Sequence, residues 1–248
     1  MRINCAGESM NYYYDLHIHS VLSPCAESDM TPNNIVNMAV VNGLDVIGVT
    51  DHNSARNLAA ISRCAEKQHI LFIPGIEVET VEEVHVVCMF SSLGGAEEMG
   101  RYIESHLPDI PNNEDIFGVQ QILDDMDNLM EKQRKLLIVS TDLTIDQVMD
   151  KVEALGGAAY FAHVDRKSYG VLATLGTFPD NREIKTVEVS SGKDGDAFLG
   201  KNPQLKSYRL IRSSDSHQLN HINHKDNYIT IEKDSLRPED IINYIKGI

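Results

Sequence analysis

Tyr12-Tyr13-Tyr14-Asp15-Leu16-His17-Ile18-His19-Ser20 is a short, β-prone stretch that ends in two histidines. On a strand, side chains at i and i+2 share a face. His17 and His19 would therefore leave the strand end together, as a chelating pair for one metal ion. Taken alone, the pair reads equally well as two solvated or hydrogen-bonded histidines, because H-x-H is short and common. The residues that follow later apolar runs decide between these readings.

Thr31-Pro32 reads as an N-cap followed by proline at the first helical position. Ile35, Met38 and Ala39 mark that helix's buried face and Gly43 its stop. Residues 45–50 form a short apolar run, bounded like a buried parallel strand, that ends in Asp51-His52. Ser54 is placed to cap the next helix, with Leu58, Ile61 and Ala65 on one face. Residues 70–73 are a third strand, from which Pro74-Gly75-Ile76-Glu77 turns out, and residues 84–90, containing His85, are a fourth. Strands at 158–162, 186–189 and 209–211 lead into His163-Val164-Asp165-Arg166, Ser190-Ser191-Gly192-Lys193 and Ser213-Ser214-Asp215-Ser216-His217. A last strand (228–231) and a closing helix (238–246) complete the chain.

This succession of strand, polar loop and helix predicts an α/β fold, a parallel β/α barrel with its chemistry at the C-terminal ends of the strands. Residues 1–11 read as a leader and 12–248 as the barrel domain. Residues 91–140 interrupt the alternation as an insertion that could cap the site. Within it, a helix is expected over 96–107. Val119, Ile122, Leu123, Met126, Leu129 and Met130 recur at helical spacing and predict a core-packed helical stripe. Thr144-Ile145-Asp146-Gln147 has capping-box form, opening a helix that runs to Gly156-Gly157.

The 248 residues, 42% hydrophobic and 24% charged, suit one domain of α/β size. Acidic residues outnumber basic ones 37 to 22, for a net charge of −15. Such a surface repels long nucleic acid, so no long nucleic-acid partner is expected, while the carboxylate excess suits divalent cations. No apolar run approaches the roughly 20 residues that span a bilayer. The first residues lack a signal-peptide core, so no membrane partner and a cytoplasmic location are expected. Cys5, Cys25, Cys64 and Cys88 have no disulfide-scaffold spacing. Cys64 and Cys88 read as buried thiols. Nothing in the sequence fixes an oligomeric state.

Nine residues are candidate ligands: His17, His19, Cys25, His52, Glu77, His85, His163, Asp215 and His217. One zinc site takes about three or four ligands. Nine, with one carboxylate bridging, can serve two or three ions. His69 and His106 fall in helix-to-strand or helical segments and His221 and His224 in a polar loop, and these four read as solvated or locally hydrogen-bonded.

Taken in order, Asp15-Leu16-His17-Ile18-His19-Ser20, Thr50-Asp51-His52, Pro74-Gly75-Ile76-Glu77, Ala162-His163 and Ser214-Asp215-Ser216-His217 resemble the PHP (polymerase and histidinol phosphatase) family. The resemblance runs from about Tyr12 to His217. It implies a distorted seven-stranded TIM-like barrel with a di- or trinuclear metal centre that cleaves phosphoesters. By motif, it implies that His17, His19, Glu77 and Asp215 bind a first ion, and that Glu77 bridges to a second held by His85 and His163. His52 and His217 would bind a third. Cys25 stands where a further ligand of that ion is implied. A thiolate there would favour zinc or iron over magnesium, or leave the third site weak. Asp15 and Asp51 are expected to orient ligating imidazoles.

Imidazole and carboxylate ligation suits zinc, manganese or iron. Two such cations close together lower the pKa of a bridging water and hold a hydroxide for attack on phosphorus. Glu77, Asp215 and Arg166 are the expected catalytic residues. Arg166 is the candidate bidentate phosphate clamp, its alternative being a surface arginine paired with a carboxylate. Lys193 is a weaker substrate-binding candidate, as is Lys201. The expected activity is metal-dependent hydrolysis of a small phosphorylated metabolite or nucleotide, with inorganic phosphate as product. A nuclease of short oligonucleotides and a non-catalytic phospholigand-binding module are the alternatives. Fold does not choose the substrate.

Overall fold

The computed structural model describes residues 9–179, 184–191, 193–232 and 235–248, without the side chains of residues 193 and 194. Most of the expected leader, Cys5 and the side chain of Lys193 thus lie outside the described residues. In chain order the elements are β1 (Met10–Ile18), α1 (Pro32–Asn42), β2 (Val46–Val49), α2 (Leu58–Gln68), β3 (Leu71–Glu79), β4 (His85–Met89), α3 (Leu93–His106), α4 (Glu114–Phe117) and β5 (Gln121–Leu123). There follow β6 (Leu129–Lys132), α5 (Ile145–Ala154), β7 (Ala158–Phe161), α6 (Val171–Leu175), β8 (Thr186–Glu188), α7 (Lys193–Lys201), β9 (Arg209–Ile211), β10 (Tyr228–Ile231) and α8 (Pro238–Lys246).

The main sheet runs β10-β1-β2-β3-β4-β7-β8-β9. Seven of its strands curl into a barrel wall, and β10 lies antiparallel along the outer side of β1. The wall closes through the chain after β9. Ile18 bridges Ser216 in parallel, and the Leu16 N–H donates to Ser213 Oγ at 3.2 Å. This is the distorted seven-stranded barrel expected, with one departure from parallel order. β4 is antiparallel to both β3 and β7. Five residues, 80–84, join β3 to β4, whereas a parallel crossover needs a dozen or more. The reversal has a structural consequence: the first residue of β4, His85, lies opposite Glu79 at the C-terminal end of β3.

Local sequence accounts for several boundaries. Thr31 caps α1, its hydroxyl accepting from the Asn34 N–H, and Gly43 ends it in the left-handed region at φ 73°. Thr144 and Gln147 form the expected capping box of α5. α2 starts later than Ser54 implies. The Asn57 side chain at its N-terminus is drawn away, donating to Ser20 Oγ and the Gln121 carbonyl and accepting from the Leu123 N–H. β1 starts at Met10 because Met10 and Asn11 pair with Ile231 and Thr230 of β10.

The expected helical stripe at 119–130 is instead a hairpin of β5 and β6. Asp124 accepts from the N–H groups of Met126 and Asn128, and Asp127 adopts φ 60°, so a tight turn outcompetes the helix. Ile122 and Leu123 are buried, but Met126, Leu129 and Met130 are exposed. Three of the six stripe positions therefore pack nothing in the core.

An outer core joins the sheet to α1, α2, α3 and α5. An inner cluster fills the barrel with Leu16, Val46, Ile73, Val87, Met89 and Tyr160, closed below by Ile241, Ile242 and Ile245 of α8. Met89 fits only because two neighbours lack side chains. A Cβ on Gly48 would sit 2.5 Å from Met89 Cε, and one on Gly75 2.5 Å from its sulfur.

Candidate metal centre

The centre begins with a phase change in β1. Asp15 pairs with Ile47 and Ile18 with Val49, so three steps on β1 span two on β2. The extra residue breaks simple alternation. Leu16 still points into the inner cluster and Ile18 into the outer one, while His17 and His19 both reach the site and bring their Nε2 atoms within 3.1 Å. His52 follows β2, Glu77 lies in β3, His85 opens β4, His163 follows β7, and Asp215 with His217 follows β9.

These side chains converge on two carboxylates. Glu77 Oε1 lies 2.8 Å from His85 Nδ1, 3.2 Å from His163 Nε2 and 3.4 Å from His17 Nε2. Its Oε2 lies 3.1 Å from His52 Nδ1 and 3.3 Å from His19 Nε2. Asp215 Oδ1 lies 3.1 Å from His19 Nε2, 3.3 Å from His17 Nε2 and 3.8 Å from His217 Nδ1. His163 and Asp215 sit at φ 27° and 50°, backbone values that non-glycine residues rarely adopt. Such strain persists where the surroundings hold it, most often at functional sites.

Three overlapping groups have ligand atoms within 4.8 Å of one another: His17, His19, Glu77 and Asp215; His52, Glu77 and His85; and His19, His52 and His217. His163 adjoins the second group through Glu77 and through His85 Nδ1, at 3.3 Å. The third group contains His19 where Cys25 was expected. Cys25 is an exposed residue of the cavity wall outside all three groups.

The donor set fits divalent ions by a test internal to the structure. His52 Nδ1, Glu77 Oε2 and Asp215 Oδ1 are buried, and none makes a directed hydrogen bond within the described residues. His52 Nδ1 and Glu77 Oε2 come as close as 3.1 Å, but not in hydrogen-bonding orientation. Buried polar atoms are rarely left so, and cations between them would satisfy all three. Charge balance agrees. Burial opposes ionisation of Glu77, yet His85, His17 and His52 outweigh it and hold the carboxyl well below its usual range. Burial likewise opposes charge on His17, but Glu188, Asp215 and Glu77 together hold its imidazole well above the ordinary value. His217 is driven down to about 3 by burial and by neighbouring His19.

Outer contacts fix the imidazoles. Ser23 Oγ donates to Asp51 Oδ1 at 2.7 Å and stands 3.1 Å from His19 Nδ1, so Asp51 orients His19 through Ser23. Asp15 does something else. Its oxygens accept from the N–H groups of Ser214 and Asn223, which pins the loop that carries Asp215. A direct carboxylate partner of an imidazole is Glu188, which sequence reasoning passed over. Both its oxygens lie 3.0 Å from His17 Nδ1, and Oε1 also accepts from the His163 N–H. The signal was present: Thr186-Val187-Glu188-Val189 places a carboxylate inside a buried strand, where it requires a partner. Glu188→Gln is expected to weaken metal affinity about 10- to 100-fold, the usual effect of losing such an outer partner. Competition against a chromogenic chelator measures it, and an unchanged affinity would show that Glu188 only packs.

The centre floors an open cavity of about 1030 Å³. Arg166, Lys167, Tyr169, Ser190 and Asn223 are among its walls, with Ile138 from the 91–140 segment and His221, which is exposed as expected. Arg166 pairs through Nη1 with Asp215 Oδ2 while its side chain stays 45% exposed. It thus has the carboxylate partner of the alternative reading and still faces the cavity. Lys201 ends α7 as an exposed residue outside the cavity wall. No helix among the described residues is long and apolar enough to cross a membrane.

Known proteins are similar to this chain to different extents. The uncharacterized protein MJ0043 of Methanocaldococcus jannaschii is 30% identical over 96 residues, which is 39% of this chain and 12% of that protein. The lesion-specific endonuclease PfuEndoQ from Pyrococcus furiosus superposes with a TM-score of 0.69 at 19% identity, over 96% of this chain and 56% of that one. An endonuclease Q complex holds a 27-mer duplex with an abasic lesion at its active site. A putative metal-dependent phosphoesterase from Bifidobacterium adolescentis superposes with a TM-score of 0.57 at 15% identity, over 97% of each chain. The chain therefore spans a small part of MJ0043 and little more than half of the endonuclease, and its likeness to these three solved structures is one of fold. A profile of the PHP domain matches residues 15–172, from the strand that carries His17 and His19 past His163. Since that match takes in more than half of the sequence and most of the converging ligands, the chain belongs to the PHP domain family of metal-dependent hydrolases.

Proposed function

We propose that this chain hydrolyses phosphoesters of small metabolites or nucleotides at a centre of two or three divalent ions, with zinc, manganese or iron as the suited metals. The observation that carries the reading is Glu77. One buried carboxylate stands within 3.4 Å of five imidazoles, on the floor of a cavity large enough for a nucleotide. His17, His19, Glu77 and Asp215 would hold one ion, and Glu77 would be shared with another held by His85 and His163. His52 and His217, with His19 or Cys25, would hold a third. When bound, these ions supply Lewis-acid charge neutralisation and lower the pKa of water.

The protein's own groups position the reactants. Arg166 holds Asp215 by Oδ2, so that Oδ1 faces His17 and His19. Its half-exposed guanidinium is then a preset donor for phosphate oxygens. Ser190, Ser191, Ser214 and Asn223 add uncharged donors to the walls. Water adds across the P–O ester bond, leaving an alcohol and a phosphate.

A nuclease reading draws on the openness of the cavity and the fold shared with an endonuclease. The charge of −15 and the small cationic contribution of Arg166 and Lys167 to the described cavity wall favour small substrates over long duplexes. Metal-loaded protein is expected to release nitrophenol from an aryl phosphate and phosphate from nucleotides faster than it cuts duplex DNA. Faster cleavage of an abasic duplex would replace this reading with the nuclease. Tight phosphate binding without turnover of any of these would make the chain a binding module.

A further inference from the structure

The loop after His163 holds an aromatic side chain that metal binding does not use. Tyr169 lies at φ 59°, in the left-handed region that non-glycine residues avoid. The loop is wound tightly on itself. The Arg166 N–H donates to the His163 carbonyl at 2.9 Å, and a Cβ on Gly170 would sit 2.8 Å from the Arg166 carbonyl. The Tyr169 carbonyl accepts from the His85 N–H at 2.9 Å, fixing the backbone beside the centre. Its ring lies parallel to the His85 imidazole, with centroids 4.5 Å apart and planes 12° apart. One face is thereby covered. Yet Tyr169 remains 44% exposed and lines the cavity. Among the described residues, no second ring or cation lies over it. Apart from imidazoles it is the cavity's one aromatic residue among those described, and Arg166 and Lys167 precede it on the same loop.

We propose that Tyr169 is a stacking platform for a planar ring on the substrate, so that the preferred phosphoesters are those carrying a nucleobase. This rests on the phosphoesterase reading and narrows it. An exposed, rigidly held aromatic face beside a phosphate site is what a base needs, because stacking tolerates any base while cations take the phosphate. The left-handed backbone has a purpose in this light, since it holds the ring against His85 with the other face open.

The test compares adenosine monophosphate with ribose 5-phosphate, which differ by the base, on the metal-loaded protein and its Tyr169→Ala and Tyr169→Phe variants. The wild type is expected to prefer the nucleotide in kcat/KM. Tyr169→Ala should erode that preference by about 10-fold, mainly through KM for the nucleotide, and Tyr169→Phe should retain it. If Tyr169 only supports His85, the alanine variant loses kcat on both compounds by the same factor, together with metal content, and the proposal is overturned. If the wild type hydrolyses neither compound, the phosphoesterase reading fails. The platform is then judged by equilibrium displacement of bound inorganic phosphate. Tighter displacement by the nucleotide, lost in Tyr169→Ala, supports it, and equal displacement by the two compounds overturns it.

Discussion

Glu77→Gln is expected to abolish most hydrolysis while the protein remains folded. The substitution keeps shape and removes one negative charge from a site where five imidazole nitrogens lie within 3.4 Å. The amide would also turn a donor towards nitrogens that now face an acceptor. Breaking a buried charged partnership costs about 3–5 kcal/mol, which is roughly two to three and a half orders of magnitude in rate or affinity. Ion binding on both sides of the carboxylate would be disturbed, because Oε1 faces His85, His163 and His17 while Oε2 faces His52 and His19. Turnover, metal content and a thermal unfolding curve, measured on the same preparation, separate loss of function from loss of fold. Near-normal turnover in a folded variant would remove Glu77 from the centre.

Stripping and restoring metal should produce the second large change. Chelated protein is expected to take up more than one divalent transition ion per chain and to unfold at a higher temperature once loaded. The physical ground is the set of buried atoms without directed hydrogen bonds, His52 Nδ1, Glu77 Oε2 and Asp215 Oδ1, which a cation satisfies only in the folded state. At a free ion concentration a thousandfold above Kd, each independent site adds about 4 kcal/mol to the folded state. Elemental analysis that finds one ion or fewer per chain, with no thermal shift on loading, would end the polynuclear reading.

The cluster of candidate ligands was legible because its members follow local rules. His17 and His19 stand two apart at the end of a β-prone segment, and both reach the site although an extra residue in β1 breaks its alternation. His52, His163, Asp215 and His217 each follow an apolar run short enough to be a buried strand, whereas Glu77, expected where such a run turns out at Pro74-Gly75, lies inside β3, which continues to Glu79. The caps at Thr31 and Thr144 hold for the same reason: a side chain a few residues from an N–H can satisfy it whatever the rest of the fold does. By contrast, the helical spacing of Val119 to Met130 misled, because turn chemistry at Asp124 and Asp127 outweighed it.

What the sequence determined by itself is therefore the order of the barrel strands and the side chains delivered to one end of the barrel. Tertiary structure decided the rest. It ran β4 backwards, bringing His85 from a strand start to the ligand end. It set Glu188 against His17, 171 residues away in sequence, and gave Asp15 the backbone of the Asp215 loop to hold. It paired Arg166 with Asp215 and laid Tyr169 over His85. The physical reason is one of range. Periodicity and capping act over a few residues and show which way a side chain points. Which partner it meets there depends on strand register and chain direction, and these are settled only when distant faces are buried together.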